Sequence, residues 1–266
     1  MNNLESEISK PVVGNVRSFE ILGVRVDGLT LNSAVARISE FIHSRKKSYV
    51  VLTGAHGIVE MQNDPELRAI NNAADLVTPD GMPEVWLGRL HGIREIEKVY
   101  APDIMMEVFR KSPEAGTRHF LYGGKAGVAE KLKRILEERF PGIEISGFFC
   151  PPFRPLEPAE KKEVVKLINS SRPDIVWCGL GCPKQERWMA EFRPLLDASV
   201  LIGVGAGFDF LSGERRRAPA WVKKSGFEWL FRLLDDPVHL WKRYVRVVPL
   251  FLLYLAAEKT GLRKSS

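Results

Sequence analysis

The chain has 266 residues, 45% of them apolar and 27% charged, enough to bury one large α/β core or two small ones and too hydrophobic for a disordered polymer. Its formal net charge of +6 is concentrated: nine Lys/Arg face four acids between Glu214 and Arg246, a patch suited to phosphate, anionic lipid or nucleic acid. Three cysteines, Cys150, Cys178 and Cys182, form neither an even disulfide set nor a paired metal-ligand pattern, which fits a reduced, cytosolic protein.

Residues 1–18 are polar and mixed in charge, with no basic stretch running into an apolar one, so a disordered tail and no signal peptide are expected. "FEILGVRV" then reads as a strand. "TLNSAVARISEFIHSRK" reads as a helix capped by Thr30, its apolar residues keeping the 3.6 period. After the strand "SYVVLT", "DPELRAINNA" opens another helix with Asp64 as cap and Pro65 in the first helical position. "ADLVTP", "RHFLYGG", "GIEISGFF", "PDIVWCGLG" and "SVLIGVGAG" are further strands, separated by helical stretches such as "PDIMMEVFRK", "KAGVAEKLKRILEERF" and "EPAEKKEVVKLINSS". Helices of this length between strands require crossovers, hence a doubly wound α/β core with a largely parallel sheet over residues 19–213. A helical, basic and amphipathic C-terminal appendage follows over residues 214–266.

In such sheets ligands bind beyond the carboxyl ends of the strands, so the residues that leave each strand are the candidates for chemistry. Thr53 leaves "YVVL" and Asp80 leaves "DLVTP". Gly123 and Gly124 leave "HFLY", Gln185 and Glu186 follow "DIVW", and Gly203, Gly205 and Asp209 follow "SVLI". Glycines there let backbone amides approach a phosphate, and polar side chains can hydrogen-bond a nucleotide. Each also has a purely structural reading. Gly123 and Gly124 suit a strand-to-helix turn, Asp209 a cap, and Glu186 the start of a helix whose dipole favours an acid. Asp80, between Pro79 and Gly81, is either the cap of the next helix or a base aimed into the cleft. A dinucleotide fold is disfavoured because Phe208 stands where "GVGAGF" would need its third glycine.

Four segments in register, "VTPDGMP" (77–83), "GLGCPKQERW" (179–188), "GVGAGFDFLSGERRRAPAW" (203–221) and "GFEWLFRLLDDPVHLWKRY" (226–244), resemble the WecG/TagA/CpsF glycosyltransferases, glycosyltransferase family 26. With the strand pattern they cover nearly the whole chain. The resemblance implies an inverting transfer of a sugar from a UDP-sugar to a polyprenyl-diphosphate-linked sugar, in bacterial cell-surface polysaccharide synthesis. It implies that Asp80 is the base for the acceptor hydroxyl, which is a poor nucleophile until its proton is leaving. Thr53 would then orient a sugar, while Gln185 and the glycine-lined strand ends hold the donor. Arg232, Lys242 and Arg243 would oppose the diphosphate charge.

No D-x-D motif occurs, so transfer without a metal and without any cofactor is expected. Two departures from the family pattern bear on sugar identity. Ala55 replaces an Asn, leaving the contact absent or taken over by His56, and "GMPEVW" replaces smaller polar residues. Val238 and His239 also stand where the family commonly has basic residues.

The tail's apolar run, from Val245 to Ala257 and interrupted by Arg246 and Pro249, falls short of the roughly 20 residues that span a bilayer. Aromatics beside Lys and Arg suit an interfacial helix on an anionic membrane surface, here the inner face of the cell membrane. Nucleic acid is not an expected partner, and homo-oligomerisation is left open. The competing reading is a noncatalytic nucleotide-binding or membrane-surface adaptor, which explains the basic tail and leaves the strand-end residues without a task.

Overall fold

The computed structural model describes residues 16–219, 221–222 and 226–260, without the side chain of His239. The expected N-terminal tail lies, for residues 1–15, outside the described residues, as do Lys223 and Lys224 of the basic patch.

The chain is a doubly wound α/β protein with a C-terminal helical appendage. Six strands, β3 (Ser48–Thr53), β4 (Leu76–Pro79), β5 (Arg118–Gly123), β6 (Glu144–Phe149), β7 (Ile175–Gly179) and β8 (Val200–Gly203), form one parallel sheet in the order β4-β3-β8-β7-β5-β6. Apolar residues sit on both faces of the central strands because helices cover both. Val50, Leu121, Trp177 and Ile202 pack under α1 (Leu31–His43), α5 (Ala101–Ala115) and α6 (Val128–Arg139). Val51, Tyr122, Val176 and Leu201 pack under α7 (Pro158–Ser171) and α8 (Lys184–Phe192). The helix starts follow their capping residues. Thr30 accepts from Ser33 N at 3.2 Å, while Ser33 Oγ accepts from Thr30 N at 2.8 Å. Asp64 Oδ1 accepts from Leu67 N at 2.9 Å and starts α3 (Pro65–Ala73).

"FEILGVRV" is not one strand. Leu22 (φ 56°) and Gly23 (φ 74°) take left-handed conformations and fold it into an antiparallel hairpin, β1 (Ser18–Ile21) with β2 (Val24–Asp27). Two consecutive positive φ values make the tight turn whose twist suits a two-residue loop. The hairpin lies apart from the main sheet and covers its edge at β4: Val77 N donates to Asp27 Oδ2 at 2.8 Å, and Arg25 donates to Ala74 O at 2.6 Å. With α2 (Ala55–Met61) it encloses a third apolar cluster.

The appendage completes that cluster. The terminal helix, Pro237–Lys259, runs through Pro249 without ending and buries Val247 and Phe251 against Ile58, Val59 and Met61. A shorter helix, Glu228–Asp235, precedes it. Among the described residues no helix is long and apolar enough to cross a membrane. The three cysteines are unpaired.

Candidate active site

A cavity of about 760 Å³ opens at the carboxyl ends of β3, β4, β7 and β8 and is roofed by the two C-terminal helices. Four of the five anticipated strand exits meet there. The fifth, at β5, does not: Gly123 and Gly124 are absent from the cavity wall. The reason is Phe208, on the short helix α9 (Gly207–Leu211), which is fully buried over this exit. A Cβ on Gly179 would meet its ring at 2.9 Å and one on Gly124 at 3.3 Å, while a Cβ on Gly123 would strike the Gly179 backbone at 2.7 Å. These glycines seat an aromatic plug and the close pairing of β5 with β7, and neither lines the cavity.

Asp80 occupies the floor. Gly81, with no side-chain bond, holds the N-cap position of α4 (Met82–Leu90), so Asp80 is not the cap of that helix. Its backbone is tied to β3 through Asp80 N to Thr53 O at 3.0 Å, and its Oδ1 is sealed from solvent without a hydrogen-bond partner. Burial pushes its carboxyl up to about 7, against the pull of Arg232 and Lys98 and the Ala101 amide; Glu228 reinforces the rise.

Near it lies a cationic wall. Arg232 donates to the Tyr100 hydroxyl at 2.6 Å and pairs with Glu228 at 3.2 Å, its guanidinium lying 5.1 Å from the ring centres of both Tyr100 and Phe210. Burial opposes its charge, yet Tyr100, Glu228 and Asp80 hold its pKa above the ordinary arginine value. Lys98 pairs with Glu228 and lies over the Tyr100 ring at 4.9 Å. Arg243 and Arg215 also line the cavity, and Arg215 is held by Asp209 at 3.3 Å and Asp236 at 3.4 Å.

Two further anticipated residues lie off this cavity. Asp209 is absent from its wall and anchors Arg215, which is on it. Lys242 is exposed beside Trp241, away from the cavity, because consecutive helix residues point about 100° apart and only Arg243 faces inward. His239, a position where the family commonly has a basic residue, has no described side chain.

The remaining anticipated residues line the cavity but are partly committed within the protein. Thr53 Oγ1 donates to Asn71 Oδ1 at 2.6 Å, leaving its oxygen to accept. Gln185 Oε1 takes the Gly205 N–H at 2.8 Å and its Nε2 donates to Glu186 Oε1 at 3.1 Å, so the amide braces the turn after β8. Gly205 (φ 50°) makes that turn, and Gly203 lets α8 approach, since a Cβ there would meet Gln185 Nε2 and Met189 Cε at 2.9 Å. Glu186 is 1% exposed with Oε2 unpartnered, and burial raises its pKa. His56 is on the wall, its pKa lowered by burial and then by Arg243, which favours the neutral ring.

Residues of this site that were not anticipated include Lys98, Tyr100, Glu84, Arg215 and Glu228. Lys98 and Tyr100 precede α5 in a loop with no motif. Glu84 stands four positions after Asp80, in the first turn of α4, which was the available signal. Beyond the acids and cations the cavity becomes apolar, walled by Met61, Leu87, Val247, Phe251 and Leu255. Among the described residues no group of three or more His, Cys, Asp or Glu could hold a metal ion.

Residues 19–265 match the family model described as Glycosyl transferase WecG/TagA/CpsF family. Curated relatives called N-acetylglucosaminyldiphosphoundecaprenol N-acetyl-beta-D-mannosaminyltransferase are similar over most of their length. The one from Bacillus spizizenii is 28% identical over 88% of this chain and 89% of its own. That from Bacillus subtilis (strain 168) is 30% identical over 71% of each. That from Staphylococcus aureus (strain NCTC 8325) is 27% identical over 94% and 97%.

Proposed function

The chain belongs to the WecG/TagA/CpsF family of glycosyltransferases, and from that premise we propose that it moves a sugar from a UDP-sugar onto a polyprenyl-diphosphate-linked sugar, with inversion and without a metal. The observation that carries the reading is Asp80: a carboxyl lining a cavity that Arg232, Lys98 and Arg243 also line, with Arg232 and Lys98 near enough to act on its charge. Once ionised, Asp80 takes the proton of the acceptor hydroxyl. The freed oxygen attacks the anomeric carbon from the side opposite the nucleotide, and the bond to the diphosphate breaks. Arg232, Arg243 and Lys98 stabilise the departing negative charge. Thr53 accepts a hydrogen bond from a sugar hydroxyl, and Gln185 keeps the Gly203–Gly205 turn in shape for the donor.

The acceptor reading draws on the relatives, whose names specify a diphosphoundecaprenol carrier and a β-linked product. It also fits the change along the cavity from charged to apolar, which suits a sugar diphosphate followed by an isoprenoid chain. We assign residues 19–213 to the catalytic core and 214–266 to an appendage that is both roof and membrane contact. Val238, Trp241, Val245 and Leu252 recur at helical spacing on the terminal helix and are each at least 49% exposed, as is Leu234 on the helix before it, with Lys242 and Arg246 exposed among them. Such a face fits an anionic membrane surface at the inner side of the cell membrane. A noncatalytic adaptor would leave the cost of the buried, unpartnered acids without a return.

The test is a screen of UDP-sugars against a short-chain N-acetylglucosaminyl-diphosphate lipid with mass readout, using Asp80→Asn as control. Disaccharide formation by the unaltered enzyme, lost in the variant, is expected. Absence of transfer with every donor, or equal transfer by both proteins, overturns the proposal.

A further inference from the structure

Glu84 is fully buried, lies on the cavity wall, and has no well-formed hydrogen bond on either carboxyl oxygen, although the backbone amides of Glu84 and Gly81 lie close enough to favour its charged form. Its side chain folds back along the first turn of α4, so close that a Cβ on Gly81 would meet its Oε2 at 2.5 Å. It therefore shares with Asp80 the Pro79–Gly81 turn and the same cavity. A buried carboxyl held only by two poorly aligned amides is costly, and an apolar residue of similar size would pack there without that cost. Two neighbouring positions on the wall offer a bound sugar no free donor. Ala55 has no polar side-chain atom, and the hydroxyl of Thr53 already donates to Asn71.

Resting on the transferase reading above, we propose that Glu84 is a specificity-determining residue that hydrogen-bonds a ring hydroxyl of a sugar bound in this cavity. A neutral carboxyl both donates through its O–H and accepts through its carbonyl oxygen, which matches a sugar hydroxyl in either direction. The residue is suited to that state: burial pushes its carboxyl up to about 8 against the pull of the Glu84 and Gly81 amides, and the charge of Asp80 adds to the rise. It stands beside the base but takes no proton from the acceptor. Its task is to select which sugar reaches Asp80 with a hydroxyl in place. The hydroxyl could belong to the donor sugar or to the acceptor sugar, and the two are separable by experiment.

The test compares Glu84→Gln and Glu84→Leu with the unaltered enzyme, using UDP-sugars and short-chain diphosphate-lipid acceptors that each lack one ring hydroxyl. Glu84→Gln, which still donates and accepts, is expected to stay within about threefold in kcat/KM. Glu84→Leu is expected to lose about 10- to 100-fold, chiefly through KM, and the loss should vanish with the one analogue that lacks the partner hydroxyl. Whether that analogue is a donor or an acceptor identifies the sugar. Thermal melting separates this role from a structural one, because Glu84→Leu should melt at or above the temperature of the unaltered protein. A lower melting temperature, or a loss of kcat/KM that is the same for every analogue, overturns the inference while leaving the transferase reading intact. If the unaltered enzyme transfers no sugar at all, both fall.

Discussion

Replacing Asp80 by Asn probes the proposed base through catalysis and stability at once. A carboxyl held at about 7, where 3.8 is ordinary, corresponds to roughly 4 kcal/mol against the charged form, of which solvent at the cavity mouth screens a part. In catalysis the ionised form is the active one. The rate of the unaltered enzyme should therefore fall about tenfold per pH unit below about pH 7 and level off above it. Asp80→Asn should lose about 10²–10⁴ in kcat and show no such limb, with donor affinity nearly unchanged. In stability the sign is opposite. The folded pKa lies above the unfolded one, so the favourable contribution of Asp80 is complete only below about pH 4 and is lost as pH rises through about 7. Asn carries no such penalty. The variant should gain about 5 °C more in melting temperature at pH 8.5 than at pH 5, relative to the unaltered protein. Initial rates by mass readout between about pH 5.5 and 8.5, with melts at both ends, decide the matter. A rate flat across that range, or an Asn variant within a few-fold of normal turnover, would refute the assignment.

The cationic wall and the outer face yield sharper tests than deletion of the appendage, because the terminal helix buries Val247 and Phe251 in an apolar cluster and truncation would expose it. Arg232→Ala should lower kcat by about 10²–10³, and Arg232→Lys should restore little, since a lysine lacks the planar fork that reaches Tyr100 and a phosphate together; steady-state kinetics with a UDP-sugar measure both. Leu234→Ser, Val238→Ser and Trp241→Ser combined should abolish flotation with anionic liposomes while sparing transfer to a water-soluble short-chain acceptor; unchanged flotation counts against membrane contact through this stripe. Gly203→Ala should destabilise by about 1–3 kcal/mol, because the added Cβ presses on Gln185 and Met189, and denaturant titration reads the change.

Much of this architecture is visible in the order of residues. Apolar runs such as "YVVL" and "DIVW" lack alternation because both sheet faces are covered, and Thr30 and Asp64 mark helix starts through bonds to backbone amides three residues on. The hairpin was hidden because Leu22, a residue that rarely takes positive φ, occupies the turn with Gly23. At the site, residues that leave strands β3, β4, β7 and β8 were legible from the sheet rule alone. The exclusion of Gly124 was not, since it depends on Phe208 arriving from a helix 84 positions later in the chain to cover it. Lys98 and Tyr100 escaped for a similar reason: their loop meets the cavity only after the Glu228–Asp235 helix folds over it and brings Glu228 and Arg232 to them. The split between Lys242 and Arg243 is helix geometry, which an adjacent pair of like charges conceals.

The small hairpin at the start of the described chain limits how copies of this protein can meet. An exposed outer strand invites another chain to add itself through free amide and carbonyl groups. At β4 two of those groups are already taken: the Val77 amide by the Asp27 carboxylate, the Pro79 carbonyl by the Val99 amide at 2.7 Å. That rim is thereby blunted from within the chain against strand addition by a neighbouring molecule.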